Sequence, residues 1–212
     1  MNAAIQFFRD GGVFMWPLLA CAVLGLVVIV WKFISLTSTS SQTRKLLEDV
    51  DGLIANHRLE EAKARCRESD IPVAQILLAG LEKHDQGAER VLAAIENEGM
   101  IQMSRLESGL VWLATIANVA PLLGFLGTVA GMIIAFGAIE LAGEVDATLV
   151  AGGIKVALIT TATGLTIAIP VNIAHNYFVS KIDSLVIEME ETSQNLVETL
   201  HEIERAPVAR KA

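Results

Sequence analysis

The sequence has few of the residues that build disulfide frameworks or nucleic-acid surfaces. Its two cysteines, Cys21 in an apolar run and Cys66 in a polar segment, are too few for a disulfide framework. No Lys/Arg run interrupts a chain whose formal net charge is −8, so we expect no nucleic-acid partner. We also expect no metal, no cofactor and no covalent catalysis.

What the chain has instead is long apolar stretches. Hydrophobic residues make up 53% of it and the mean hydropathy is +0.52, which is too apolar for an ordinary soluble domain. The hydrocarbon core of a bilayer needs about 20 helical residues, and residues 13–36, 109–139 and 149–179 each provide them. The sequence predicts an all-α integral membrane protein with three transmembrane helices, the first of them retained.

Lysine and arginine are distributed unevenly among the polar segments. Residues 37–108 and the tail 180–212 contain most of them, whereas the loop 140–148 has none. By the positive-inside rule, residues 37–108 and the tail are cytoplasmic, and the N-terminal segment 1–12 and the loop lie outside. The apolar spacing in the larger segment predicts a small domain of short helices at about 42–55, at about 59–68 and from Pro72 onward.

The second and third membrane helices are predicted to extend far into the cytoplasm. No proline occurs between residue 88 and Pro121, which predicts a near-continuous helix from 88 to 142, roughly 80 Å long at 1.5 Å per residue. The third helix continues amphipathically through Leu185, Met189 and Leu196.

Asn, Pro and Thr occur at matching positions on these two helices. If the helices are antiparallel and their turn is centred near Val145, residues at equal distance from it lie at equal depth. The matched pairs are Asn118 with Asn172, Pro121 with Pro170, and Thr128 with Thr161. A shared polar lining would produce such matching, and we expect Thr160 to line the ion path together with Thr128, Thr161 and the two asparagines.

Each of these features also has a simpler interpretation. Small residues at helical spacing, among them Gly124, Gly127, Gly131 and Gly164, allow close helix packing within the hairpin, between copies, or both. A threonine hydroxyl can bond back to its own helix. The two prolines either kink the helices or free carbonyls that hold water in a polar cavity.

Neither the second nor the third apolar stretch contains Asp or Glu, and Lys155 is the one charge there. It lies near enough to the outer end for its ammonium group to reach the surface. This chain alone therefore carries no intramembrane carboxylate to relay a proton. If this protein conducts ions, that acid must come from a partner.

The sequences APLLGFLGTVAGMIIAF, from Ala120, and GGIKVALITTATGLTIAIP, ending at Pro170, resemble the MotA/TolQ/ExbB proton channel family. Three spans and a short tail resemble the ExbB/TolQ branch. The resemblance implies a homopentamer in the bacterial inner membrane, with a periplasmic N-terminus and a cytoplasmic C-terminus. The second and third spans would line a pore that holds two copies of a single-span ExbD/TolR-like subunit. That subunit would supply the intramembrane Asp.

The resemblance implies a channel or stator subunit that uses the proton-motive force to do mechanical work on a TonB- or TolA-like periplasmic protein. The pore threonines fall on Thr128 and Thr161, and the family's prolines fall on Pro121 and Pro170, which would shape the pore together with the four glycines. One position departs from the family: many ExbB-type members carry Glu where this chain has Val156, after Lys155. Two alternatives stay open, a non-conducting membrane scaffold and a sodium-driven version of the same machine.

Overall fold

The computed structural model describes residues 2–56, 58–143 and 147–205, and the elements in these ranges are helical. Two short 3-10 turns, Gly12–Phe14 and His84–Gln86, accompany the α-helices. The helices are α1 Asn2–Asp10, α2 Met15–Ala55, α3 Leu59–Arg67, α4 Pro72–Glu82, α5 Ala88–Glu107, α6 Leu110–Ala142 and α7 Ala147–Arg205. Val145, around which we centred the turn, lies outside the described residues, as do residues 206–212 of the tail.

Three helical stretches are long and apolar enough to cross a membrane, which confirms the predicted class. They are Gly12–Thr39, Glu89–Ala142 and Val150–Glu198. A transmembrane helix satisfies all its backbone hydrogen bonds within itself, and residues 15–36, 110–139 and 149–179 are α-helical throughout.

The near-continuous helix predicted from residue 88 to residue 142 is wrong at one point. α5 ends at Glu107, and α6 begins at Leu110. Between them Gly109 has φ +88°, in the left-handed region that glycine adopts without steric strain. Ser108 closes the end of α5 with a hydroxyl that donates to the Arg105 carbonyl at 2.7 Å.

The first short helix of the polar segment, predicted at about 42–55, is helical and ends at Ala55 as predicted. It is not a separate helix, because α2 runs from Met15 to Ala55 without a break. The Ser/Thr-rich stretch after the membrane span stays helical. There the hydroxyls of Thr37 and Thr39 donate to the carbonyls of Phe33 and Ser35 on the preceding turn. α3 and α4 agree with the predicted positions.

The chain divides into two compact units. The first contains residues up to Lys32 and Gly109–Phe178, so it consists of α1, the beginning of α2, α6 and the beginning of α7. Its core cluster is Met15, Leu18, Ala120 and Ala168, with Phe8, Leu123, Ile159 and Ile167 packed against it.

The second unit contains Phe33–Ser108 and the chain from Val179 onward. A Cβ on Gly80 of α4 would lie 2.9 Å from Cδ1 of Ile95 in α5 and 3.1 Å from Cδ2 of Leu196 in α7. The small residue therefore lets three helices of this unit pack closely. Ion pairs of Arg65 with Asp49 at 3.0 Å and of Arg67 with Glu82 at 2.7 Å lie on its surface, where each contributes little.

Candidate functional site in the α6–α7 pair

Glycines bring the backbones of α6 and α7 into direct contact. A Cβ on Gly131 would lie 2.6 Å from the Gly153 carbonyl oxygen, and one on Gly164 would lie 2.5 Å from the Ala120 carbonyl oxygen. A Cβ on Gly124 would meet the Thr160 carbonyl oxygen at 3.0 Å. All four glycines are buried. The small residues at helical spacing on α6 and α7 thus pack against each other within one chain, as GxxxG-type contacts permit.

Two adjacent threonines of α7 lie against this contact. Thr160 is 0% exposed, and its Cβ occupies the space that a side chain on Gly127 would need, 2.5 Å from the ideal Cβ. Its hydroxyl lies 3.0 Å from both the Val156 and the Ala157 carbonyl oxygens. Within this chain, Thr160 is a packing residue whose hydroxyl bonds mainly to its own helix.

The hydroxyl of Thr160 reaches the Gly124 carbonyl of α6 only at 3.5 Å, whereas the hydroxyl of Thr161 makes its hydrogen bond across the contact. It donates to the Gly124 carbonyl at 3.1 Å, and the residue is partly exposed. Thr128 follows Gly124 by one helical turn, so the two residues lie on the same face of α6. Thr128 is also partly exposed, and its hydroxyl donates to the Phe125 carbonyl at 2.6 Å. Thr128 and Thr161 therefore lie along one edge of the contact.

The four other predicted polar and proline residues lie farther along the same two helices. Asn118 is exposed and its amide donates to the Ala114 carbonyl at 2.8 Å. Asn172 is exposed and its side-chain oxygen accepts from the Asn176 amide at 3.2 Å. Pro121 lies inside α6 and Pro170 inside α7, and neither ends its helix.

The contacts also shift the register that we assumed. Equal distance from Val145 paired Thr161 with Thr128, whereas the hydroxyl of Thr161 bonds one turn earlier, at Gly124. The small residues, which interlock backbone to backbone, set the register of the two helices. The polar residues take the positions that this packing leaves.

Sequence reasoning missed Asp10. This residue ends α1, and its carboxylate oxygen Oδ2 lies 2.5 Å from Nζ of Lys155. A signal was available, because Asp10 is the first acidic residue of the chain and the next is Glu48. Among residues 2–56, 58–143 and 147–205, no cluster of three His, Cys, Asp or Glu side chains is placed to hold a metal.

Comparison with known proteins gives a consistent result. The family model described as the MotA/TolQ/ExbB proton channel family matches residues 68–191. A protein of Methanothermobacter thermautotrophicus, described as a biopolymer transport protein ExbB homolog, is 30% identical over 89% of this chain and 67% of its own length.

Two bacterial relatives match shorter segments. The biopolymer transport protein ExbB of Xanthomonas campestris is 43% identical over 43% of this chain and 36% of its own length. The Tol-Pal system protein TolQ of Haemophilus influenzae is 39% identical over 40% and 37%. Because the family model covers more than half of the sequence, this chain belongs to the MotA/TolQ/ExbB proton channel family.

Proposed function

We propose that this protein is the channel or stator subunit of a motor complex in the bacterial inner membrane that is driven by the proton-motive force. The observation that carries the proposal is the edge where Thr128 and Thr161 offer hydroxyls beside a closely packed helix pair. Both side chains are partly exposed in the single chain. Another helix packed along this edge would have both hydroxyls within its reach.

The second and third spans lack acidic side chains, so the helix that packs along this edge must provide one. Residues 110–139 and 149–179 contain no Asp or Glu, and a proton path across a membrane needs a group that takes up and releases the proton. The family resemblance implies that this partner is a single-span subunit with an intramembrane Asp, of the ExbD/TolR kind. Each threonine hydroxyl already donates its proton to a backbone carbonyl. Its oxygen would therefore accept a hydrogen bond from that acid when it is protonated, or from its waters, until the proton is released.

The assembly that the family resemblance implies is a homopentamer of this chain around two copies of the partner. The N-terminus would be periplasmic and the C-terminus cytoplasmic. Ion flow would turn one ring against the other and do work on a TonB- or TolA-like protein. Relatives named ExbB and TolQ support this class of client, and this chain itself catalyses no covalent reaction.

A non-conducting scaffold is the second candidate. It rests on the small residues at helical spacing on α6 and α7, which could join separate copies of the chain. Gly124, Gly131 and Gly164 instead meet backbone atoms of the same chain, so these small residues are not free to join separate copies. The channel is therefore the better-supported function.

The test is proton uptake by proteoliposomes that contain this chain and a co-expressed single-span partner with an intramembrane Asp. We expect Thr128→Val and Thr161→Val each to reduce uptake roughly 10- to 100-fold, while the size of the purified complex stays the same. The matched control is Thr166→Val, because Thr166 is exposed and its hydroxyl bonds only to Ala162 of its own helix.

Thr160→Val separates packing from transport. Its hydroxyl is buried against the carbonyls of its own helix, so the variant should lower thermal stability slightly and leave uptake per folded complex unchanged. Normal uptake by both Thr128→Val and Thr161→Val would refute the channel and favour the scaffold.

A sodium-driven machine of the same architecture makes a different prediction about the ion. Replacing sodium by potassium at constant proton-motive force should leave a proton-driven complex at its full rate. A complex that stalls without sodium would show that the ion assignment is wrong while the channel architecture stands.

A further inference from the structure

A lysine in an apolar span needs a partner, and here the partner lies in a separate helix. Lys155 is the first charged residue of α7, and no other follows it before Lys181. A charged side chain in a membrane segment is costly unless it is paired or reaches the surface. Its Nζ lies 2.5 Å from Oδ2 of Asp10, the last residue of α1.

Apolar contacts flank the ion pair. A Cβ on Gly11 would lie 3.0 Å from Cγ2 of Ile159, which is one turn beyond Lys155 on α7. Phe8 packs against the core cluster of the first unit, and its ring meets the Trp16 ring edge-on at a centroid distance of 5.2 Å. The end of α1 is therefore held to α7 by the ion pair and by the approach of Gly11 to Ile159, and Phe8 holds it to the core cluster.

Thr161 on α7 points away from the ion pair between Lys155 and Asp10. Lys155 and Ile159 are four residues apart and share a face of α7, which is the face that meets Asp10 and Gly11. Thr161 is six residues from Lys155, so the two side chains point about 120° apart around the helix. Thr161 contacts Gly124 of α6. The ammonium group and the threonine hydroxyl thus serve different neighbours.

α1 depends on such contacts because it is short. It has nine residues, whereas isolated helices shorter than about 12–15 residues are marginal in water. Phe8 anchors its last turn to the core cluster, and Asp10 at its C-terminus adds a second contact. Asp10 at that end is not favoured by the helix dipole, which disfavours anions at C-termini. Its position is explained by its partner rather than by its own helix.

We propose that Asp10 and Lys155 form a latch that fastens α1 to the outer part of α7, and that Lys155 stands outside the ion path. The charge at Lys155 is then accounted for by pairing with the N-terminal helix rather than by ion selectivity. The latch goes beyond the proposed channel function and can be tested without it.

The test is hydrogen–deuterium exchange of the α1 amides in the full-length protein in lipid nanodiscs. We expect Asp10→Asn and Lys155→Gln each to accelerate exchange across residues 5–10 roughly tenfold or more, because α1 detaches more often. The exchanged pair, Asp10→Lys with Lys155→Asp, should return exchange close to the wild-type rate. Arg9→Gln is the matched control: it removes a neighbouring charge without touching the latch, and its exchange rate should not change.

Two results would overturn the latch. One is wild-type exchange in Asp10→Asn, which would mean that α1 is held without the ion pair. The other is failure of the exchanged pair to restore protection in a protein whose α6 and α7 amides exchange normally. Proton uptake by Lys155→Gln, with the co-expressed partner, is a separate readout: a large loss there would place Lys155 in the ion path and contradict this inference, leaving the Thr128 and Thr161 results unaffected.

Discussion

The hydroxyl of Thr161 donates a hydrogen bond to the carbonyl of Gly124, across the contact between α7 and α6 at 3.1 Å. A Cβ on Gly124 would lie 3.1 Å from the Cα of Thr161, so the bond depends on the absence of a side chain at that glycine. Packing and polar chemistry are therefore coupled at one position. A substitution that separates the helices would also move the hydroxyl that we assign to the ion path.

Gly131→Ala should destabilise the helix pair. The added Cβ would lie 2.6 Å from the Gly153 carbonyl oxygen and 2.9 Å from the Ala157 nitrogen, and these are backbone atoms that cannot move aside. We expect a loss of about 1–3 kcal/mol, the usual cost of overpacking. Thermal unfolding of the purified protein in detergent, followed by tryptophan fluorescence, measures it.

Gly137→Ala on the same helix is the control for that measurement. A Cβ there would have no neighbour within 4 Å, so the variant should be neutral or more stable by about 0.5–1 kcal/mol, because alanine favours the helix. Equal unfolding temperatures for the two variants would contradict the assigned α6–α7 contact.

Cys66 should react slowly with thiol reagents. It is 0% exposed in the second unit, and burial raises the pKa of its thiol from 9.0 to about 11. The thiolate is the reactive form, and each pKa unit reduces its fraction about tenfold at neutral pH. In a Cys21→Ala background, a water-soluble maleimide should label the folded protein at pH 7 at least about 100-fold more slowly than the denatured protein.

The raised pKa of Cys66 also makes the stability of the folded protein depend on pH above pH 9. The folded state keeps the Cys66 proton at a pH where the unfolded state loses it, so the stabilisation is present below pH 9 and falls as pH rises toward about 11. Cys66→Ala should weaken this part of the pH dependence. In the maleimide experiment, rapid labelling of the folded protein at pH 7 would show that the Cys66 thiol is not buried as described.

Thr43→Val should stabilise the second unit. Thr43 lies in α2, is 0% exposed, and has the one buried side-chain oxygen without a hydrogen-bond partner among the described residues. Valine has nearly the same shape and removes that unsatisfied group, so we expect a gain of about 1 kcal/mol. The midpoint of thermal or urea unfolding measures the change.

Thr192→Val is the matched substitution for comparison. Thr192 lies in the same unit, and its hydroxyl donates to the Glu188 carbonyl at 2.7 Å. Because this variant removes a bond that is made, it should not be stabilising. A less stable Thr43→Val protein would mean that the Thr43 hydroxyl has a role in the folded state that its surroundings do not reveal.

The sequence by itself determined the class of the protein. Runs of about 20 apolar residues have one stable solution in a bilayer, a helix that satisfies its own backbone, and three such helices are present. The motif around Thr128 and Thr161 also identified the family, which the family model matches independently. The lack of Asp and Glu in two spans can be read directly from the residues.

Only the tertiary structure decided which residues meet. Gly131 and Gly137 are the same residue type on one helix, yet only Gly131 touches α7. The break at Gly109, the bond from Thr161 to Gly124 and the pairing of Lys155 with Asp10 were likewise not predicted. Helical periodicity identifies the faces of a helix, but not its axial register against a neighbour or the partner that each face contacts. The axial register and the partner of each face are set by how the side chains of the two helix surfaces interlock.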